Sequence, residues 1–406
     1  MILINRFRKV IFGENVLKIV SLSVTAAYLS IFIYLYISGK WILNKHGDPL
    51  NVDFIWIWLG GKIALSGHAL DAFSYPYFSK AQVPLVGPPQ SYFDYFHWIY
   101  PPSLFFYLIP FALLPYSLAF PVWVVTTMAL YACSIQAIVR RPWAWSCALM
   151  PLPVMFNIKL GHTGFLMAGL LGFSLFLMER SPFAGGLVLG LLTYKPQLGL
   201  LFPIVLLAAG QWRVLAGAVL SAGILGLAVA AEFGPDIWLK FLASVHSANP
   251  RTLMPDADMT ATLQTVYGVL IWVGWRTSAA WGCHIVIALT VATLVCVIWR
   301  RPVRYAIKAA ALAAGAMLVT PYMLFYDLTG ASVAAAFIVR DGFAAGFLPG
   351  EDWVIFACFL ALFFVGTPVG PFIAASLLAL AVRRAFFQPQ RQDSAAAVTV
   401  AVPGRQ

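Results

Sequence analysis

In the stretch PLNVDFIWIWLGGKIALSGHALDAF, residues 49–73, Asp53 stands directly before a run of Phe, Trp, Ile and Leu. A carboxylate at the edge of an apolar run is costly to keep, and such groups mark functional sites. Further along, Lys159 and His162 occupy NIKLGHTG, Lys195 precedes Pro196 in TYKPQ, and Asp327 follows Tyr326 in TPYMLFYDL. A carboxylate can take up a proton, pair with a cation or cap a helix. Asp53 fits the N-cap of a helix beginning at Phe54. Lys195 fits a lysine snorkelling towards lipid headgroups. His162, after Gly161, fits a histidine bonded to a nearby carbonyl. Asp327, set between MLFY and another apolar run, is the hardest to explain without a functional role.

The elements that must position these groups are set by composition. Of the 406 residues, 61% are hydrophobic and 10% charged, against roughly 25% charged in soluble domains. Mean hydropathy is +0.85. The deficit of charge runs along almost the whole chain, so this is an all-α, polytopic, integral membrane protein. The apolar run at 19–37 is too long for the core of a signal peptide and has no small-x-small site after it. It reads as a first spanning helix behind a basic tail containing Arg6, Arg8, Lys9 and Lys18. The five cysteines lie in apolar segments without a C-x-x-C pair, which indicates neither a zinc site nor a disulfide framework.

The net charge of +11 marks membrane orientation rather than a nucleic-acid partner. Basic turns at 140–141, 178–180, 211–213, 299–304, 339–341 and 382–384 should be cytoplasmic. The turns at 157–164, 193–197, 232–236 and 320–328, which carry Gly, Pro and isolated ionisable residues, should lie outside. This parity puts both termini in the cytoplasm and gives about twelve crossings at ~20 residues each. The segment YPPSLFFYLIPFALLP (100–115) is short and proline-rich, and predicts a re-entrant or partial helix beside a span at 117–139. Residues 1–387 then form one transmembrane unit with two long extracytoplasmic loops, 39–100 and 232–278. Aromatic density in the first loop predicts segments along the membrane interface. Residues 388–406 have the composition of a disordered cytoplasmic tail. GLVLG (186–190) predicts close helix packing. No fixed-period repeat or transporter-like half symmetry is visible.

Asp53, Lys159, His162, Lys195 and Asp327 now fall on one face, at helix ends broken by Gly and Pro. Irregular backbone at membrane depth is tolerated only where it lines a cavity or packs on protein. A polar cavity open to the periplasm is the expected consequence.

Taken in order, DFIWIWLGGKIALSGHALDAF, WIYPPSLFFYLIPFALLP, GHTGFLMAGLLG, PFAGGLVLGLLTYKPQLGLLFPIVLLAAGQWR and TPYMLFYDL resemble glycosyltransferase family 87 over roughly residues 45–385. His162 departs from the pattern, where Gln more often follows the glycine. The resemblance implies a GT-C-type helical bundle in the bacterial inner membrane, with a periplasmic active site under amphipathic helices of the first loop. It implies a polyprenyl-phosphate-linked sugar donor, with mannose or another hexose as the sugar, and a lipid or glycan acceptor. Asp53 falls on the family's first-loop acidic residue, the general base of an inverting displacement. The departing phosphate needs positive charge, which Lys195, with Lys159, His162 or Arg251, could supply. Tyr100, Trp56, Tyr326 and Asp327 are candidates for substrate binding. Asp327 could orient a cation, bind a sugar hydroxyl or cap a helix. No acidic cluster is spaced to cage a divalent ion, so no metal or cofactor is expected. The competing readings are a transporter or flippase of lipid-linked sugars, and a polysaccharide polymerase or ligase. The long aromatic loop and the lack of repeat symmetry weigh against a transporter.

Overall fold

Apolar runs interrupted by Gly and Pro should form helices of unequal length, because each backbone group in a bilayer must be bonded within its own segment. The protein, seen in a computed structural model, is described over residues 13–50, 52–87, 97–247, 262–364 and 366–387. Among these residues the regular structure is helical, with only isolated bridges of β type. The Arg251 and tail expectations lie outside the described residues.

The helices are α1 (Glu14–Ile37), α2 (Asp53–Leu65), α3 (Tyr75–Val86), α4 (Leu104–Ala112), α5 (Tyr116–Val139), α6 (Leu152–Leu160), α7 (Gly164–Met178), α8 (Pro182–Gly190), α9 (Leu201–Ala208), α10 (Trp212–Phe233), α11 (Asp236–Ser247), α12 (Val266–Trp272), α13 (Thr277–Arg300), α14 (Tyr305–Val319), α15 (Thr329–Ala345), α16 (Glu351–Ala361) and α17 (Gly370–Phe387). Among the described residues, six helices are long and apolar enough to cross a membrane: α1, α5, α10, α13, α17, and α15 with the turn Phe325–Leu328 before it. The run at 100–115 does form a partial helix: α4 has nine residues, about 14 Å, well short of the ~30 Å core.

Two shorter helices make the centre. Both α7 and α14 have 15 residues and are apolar apart from Ser174 in the one and Tyr305 and Lys308 in the first turn of the other, and nearly all of each is buried. A helix apolar all round belongs inside a bundle. α14 packs between α13, α15 and α17, and its alanines let these neighbours come close; α7 packs against α5, α8 and α15. By contrast α1, α10 and α13 keep apolar side chains such as Leu29, Val219 and Ile285 on the surface, where lipid would cover them. A Cβ added at Gly186 or Gly190 of α8 would run into backbone atoms of α10, so GLVLG does mark close packing.

Charge sorts the two ends. At one end Glu179, after α7, accepts from Arg340 of α15 at 2.7 Å and from Arg140, after α5, at 3.4 Å. There too Asp341 takes Arg304 at 2.6 Å, and Arg384 of α17 joins Asp341 to Glu351 of α16. Buried charges survive only when paired in this way. The basic turns scattered along the sequence therefore gather at one end of the bundle. At about 22 Å, α7 and α14 are too short to cross the full core, and their other ends leave room for irregular backbone.

The first loop is not a surface layer throughout. α2 buries Phe54, Ile55, Trp56, Ile57, Leu59 and Ile63, so it is a core helix rather than an amphipathic one. Elsewhere α3 of the same loop buries Phe78 and leaves Lys80 exposed, and α11 of the second loop buries Ile237 and leaves Lys240 exposed.

Candidate active site

The turn at 161–164, between α6 and α7, is where four segments meet. Gly161 ends α6 with φ +66°, the left-handed conformation that favours glycine. Its carbonyl accepts from the Trp123 indole at 2.8 Å. A Cβ there would strike Phe54 and the Phe120 ring, so only glycine lets the start of α2 come this close. That contact carries Asp53, the neighbour of Phe54, to the His162 turn.

Gly164 does the same for the Asp327 segment. A Cβ on it would clash with Asn157 and the Tyr326 carbonyl. The Asn157 amide donates to that carbonyl at 2.8 Å, and the Thr329 hydroxyl donates to it at 3.1 Å. The turn Leu191–Tyr194 brings Lys195: the Tyr107 hydroxyl donates to the Leu191 carbonyl at 2.8 Å, and the Tyr194 hydroxyl reaches the Thr163 carbonyl at 3.4 Å.

These contacts assemble a connected polar group. Tyr100 and His162 Nε2 share a hydrogen bond of 2.8 Å, and Thr163 lies 3.2 Å from His162 Nδ1. The His162 ring stacks on Tyr326, with centroids 3.6 Å apart. Lys195 Nζ donates to Asp327 Oδ1 at 2.5 Å and sits 5.5 Å from the Tyr326 ring centre. Lys195 and Asp327 are each 3% exposed, so the lysine does not snorkel to lipid. Asp327 also reaches the Leu324 amide at 3.4 Å, which closes the turn Phe325–Leu328. Burial and the Lys195 ammonium hold the His162 imidazole well below its usual range, so it is neutral near pH 7.

Asp53 differs from the rest. Helix α2 begins at Asp53 itself, Val52 is its N-cap, and no side chain caps it. The capping role expected of Asp53 is therefore absent. The carboxylate keeps part of its surface open, and no hydrogen bond or ion pair engages it among the described residues. Burial alone pushes its pKa up to about 6. Asp53 is within electrostatic reach of Tyr100, Tyr322 and Tyr326. An unengaged carboxylate with a raised pKa, facing the same tyrosines as Asp327, can take a proton from a bound hydroxyl near neutral pH.

Lys159 does not join. It is exposed in the last turn of α6, and only its backbone carbonyl is held, by the Trp41 indole at 3.2 Å. Trp56 is buried one turn along α2 from Asp53. Among the described residues, no group of three or more His, Cys, Asp or Glu side chains is placed to hold a metal ion.

Residues that the sequence did not single out complete the frame. Tyr322, half-buried, faces the charges of both Asp53 and Asp327. Gln264 ties the second loop to the Asp327 segment: its amide donates to the Met323 carbonyl at 2.7 Å. The Gln264 side chain holds Thr367 at 3.1 Å and the Gly370 amide at 2.9 Å, at the start of α17. Tyr322 at least lies inside TPYMLFYDL, whereas Gln264 stands in no motif.

Fold and site together define an integral membrane protein with a polar, reactive-type cluster at one end of its helices. The sequence profile of glycosyltransferase family 87 matches residues 98–321, more than half of the chain. The chain belongs to that family, and is thus a membrane glycosyltransferase. Tyr100, His162 and Lys195 lie within the match; Asp53, Tyr326 and Asp327 lie outside it, so their assignment rests on geometry. Neither curated proteins nor solved structures gave a match.

Proposed function

We propose that the protein transfers a sugar, mannose or another hexose, from a polyprenyl-phosphate donor to a lipid or glycan acceptor. The reaction inverts C1 and takes place at the extracytoplasmic face of the bacterial inner membrane. The observation that carries this is the unengaged Asp53 carboxylate, which shares Tyr100, Tyr322 and Tyr326 with Asp327 of the buried Lys195–Asp327 pair.

An acceptor hydroxyl attacks C1 of the sugar as Asp53 takes its proton, and the bond from C1 to the phosphate oxygen breaks with its electron pair leaving on the phosphate. Lys195 balances the charge on the departing polyprenyl phosphate. An ammonium has three donors, and Asp327 uses one, which leaves two for the phosphate. His162, being neutral, serves by holding Tyr100 and Tyr326 rather than by charge. Tyr100 and Tyr322 supply hydroxyl groups to the sugar.

The donor assay tests this directly. Purified protein in detergent should form a new glycolipid or glycan from a polyprenyl-phosphate hexose, should ignore nucleotide sugars, and should keep its activity in excess chelator. Use of a nucleotide sugar, or loss of activity with chelator, would overturn the donor or the metal-free mechanism respectively.

Orientation is tested separately. The end that collects Arg140, Arg304, Arg340 and Arg384 is cytoplasmic in this proposal. In a cysteine-free background, a cysteine at the exposed Lys80 should react with an impermeant thiol reagent in intact spheroplasts, and one at the exposed Arg300 should not. The reverse pattern would invert the topology and put the site in the cytoplasm.

A further inference from the structure

Helix α1 is held to the bundle loosely. Only Ser21 and Phe32 of its residues are buried, and its anchors are Ser21 to Ser146 at 2.8 Å and Tyr28 to the Met150 carbonyl at 3.0 Å. Beside the Ser21–Ser146 contact, a cleft of about 330 Å³ opens between α1 and residues 141–146. Its α1 wall is Glu14, Lys18 and Leu22, spaced four residues apart and so stacked on one helical face. Its other wall includes Arg141, Trp143 and Trp145.

This cleft changes character with depth. Glu14 and Arg141 stand at its mouth, 3.7 Å apart and each about half exposed. Lys18 lies one turn further in and pairs with no carboxylate among the described residues. Leu22, 50% exposed, follows at the level where the apolar span takes over, with Trp145, 38% exposed, lining the opposite wall. Arg141 is not a loose surface arginine: its guanidinium stacks on Phe343 at 5.1 Å, and Trp143 meets the same ring edge-on at 6.3 Å. Two cations against one carboxylate leave the cleft as a whole net positive. Positive charge over an apolar, tryptophan-lined slot suits a molecule with an anionic head and a hydrocarbon tail.

We infer that this cleft binds the phosphodiester headgroup of an anionic phospholipid, with Lys18 and Arg141 on the phosphate and the first acyl carbons along Leu22 and Trp145. Glu14 competes with the phosphate for Arg141. The site is remote in sequence and chemistry from Asp53 and Lys195, and it stands whether or not the sugar transfer proposed above is correct.

The test uses the full-length protein in detergent titrated with phosphatidylglycerol or phosphatidylcholine and read by native mass spectrometry. Wild type should retain phosphatidylglycerol in preference to phosphatidylcholine. Lys18→Gln with Arg141→Gln should weaken phosphatidylglycerol retention roughly 30-fold, the scale of two basic residues near a charged bilayer surface. Glu14→Gln should strengthen it about fivefold, by removing the competitor. Arg213→Gln with Arg300→Gln, outside the cleft, should change little, and Asp53→Asn should bind lipid like wild type. Equal weakening by the Arg213 and Arg300 pair would mean diffuse attraction and overturn the site. Glycerol phosphate displacing the lipid at equal concentration would make it a free-anion site, and would overturn the inference equally. Because Glu14→Gln removes no basic residue, a failure of the double variant to fold still leaves a decisive measurement.

Discussion

Asp53→Asn is expected to express, purify as one species and melt near wild type, yet to transfer sugar about 10²–10⁴-fold more slowly. Asn has nearly the same size and shape, so the Phe54–Gly161 contact that seats the start of α2 is left intact. Burial disfavours the ionised carboxylate, so removing its charge relieves that penalty and offsets the loss of a favourable first-turn charge, worth roughly 0.3–1 kcal/mol. The chemical loss is complete, because an amide cannot take up a proton near pH 7. The same group sets the pH profile. Burial raises its pKa to about 6, so the wild-type rate should fall as pH drops through about 6, about tenfold per pH unit below it, and level off above. In Asp53→Asn that acid limb should vanish from the residual rate. Retention of more than about a tenth of wild-type turnover, above the range expected for a lost base, would remove Asp53 from the role. Asp327 would then be the next carboxylate to examine.

The second large effect is expected at Lys195, where one substitution does two separable things. Lys195→Ala strands the buried Asp327 carboxylate without its cation, which costs about 3–5 kcal/mol when one partner of a buried pair is removed. It also withdraws the positive charge from the leaving phosphate, at about 10²–10³-fold in rate. Thermal unfolding and turnover, measured side by side, separate the two. Lys195→Met with Asp327→Leu removes both charges and replaces them with apolar side chains, so stability should return close to wild type. Transfer should stay as slow as in Lys195→Ala. If the double variant recovers turnover along with stability, the pair is structural only, and the leaving group finds its charge elsewhere.

Much of this protein was legible in the sequence because it follows from composition and from charge counted along the chain. A deficit of charge over 406 residues determined an all-helical membrane bundle. The family was also readable: the resemblance runs over roughly residues 45–385, and the family profile matches residues 98–321. The parity of the basic turns is matched by their meeting at one end, as Arg140 and Arg340 do on Glu179. The glycine spacing in GLVLG carried its own meaning, because helix contact at four-residue spacing is a local property.

What only the tertiary structure decided are contacts between distant segments. Lys195 and Asp327 are 132 residues apart and form one buried pair. Taken singly, Lys195 fitted a lipid-facing lysine, because nothing local distinguishes a lysine at the rim from one sealed inside. Asp53 fitted a helix cap by its position, but the backbone starts α2 one residue earlier and leaves the carboxylate unengaged. His162 met Tyr100 and Tyr326 rather than a carbonyl, because Gly161 and Gly164 admit α2 and the Tyr326 turn at a spacing no side chain would allow. A sequence states which groups can ionise. Which of them end up paired, neutral or free is set by packing between segments, since burial and partners come from residues far along the chain.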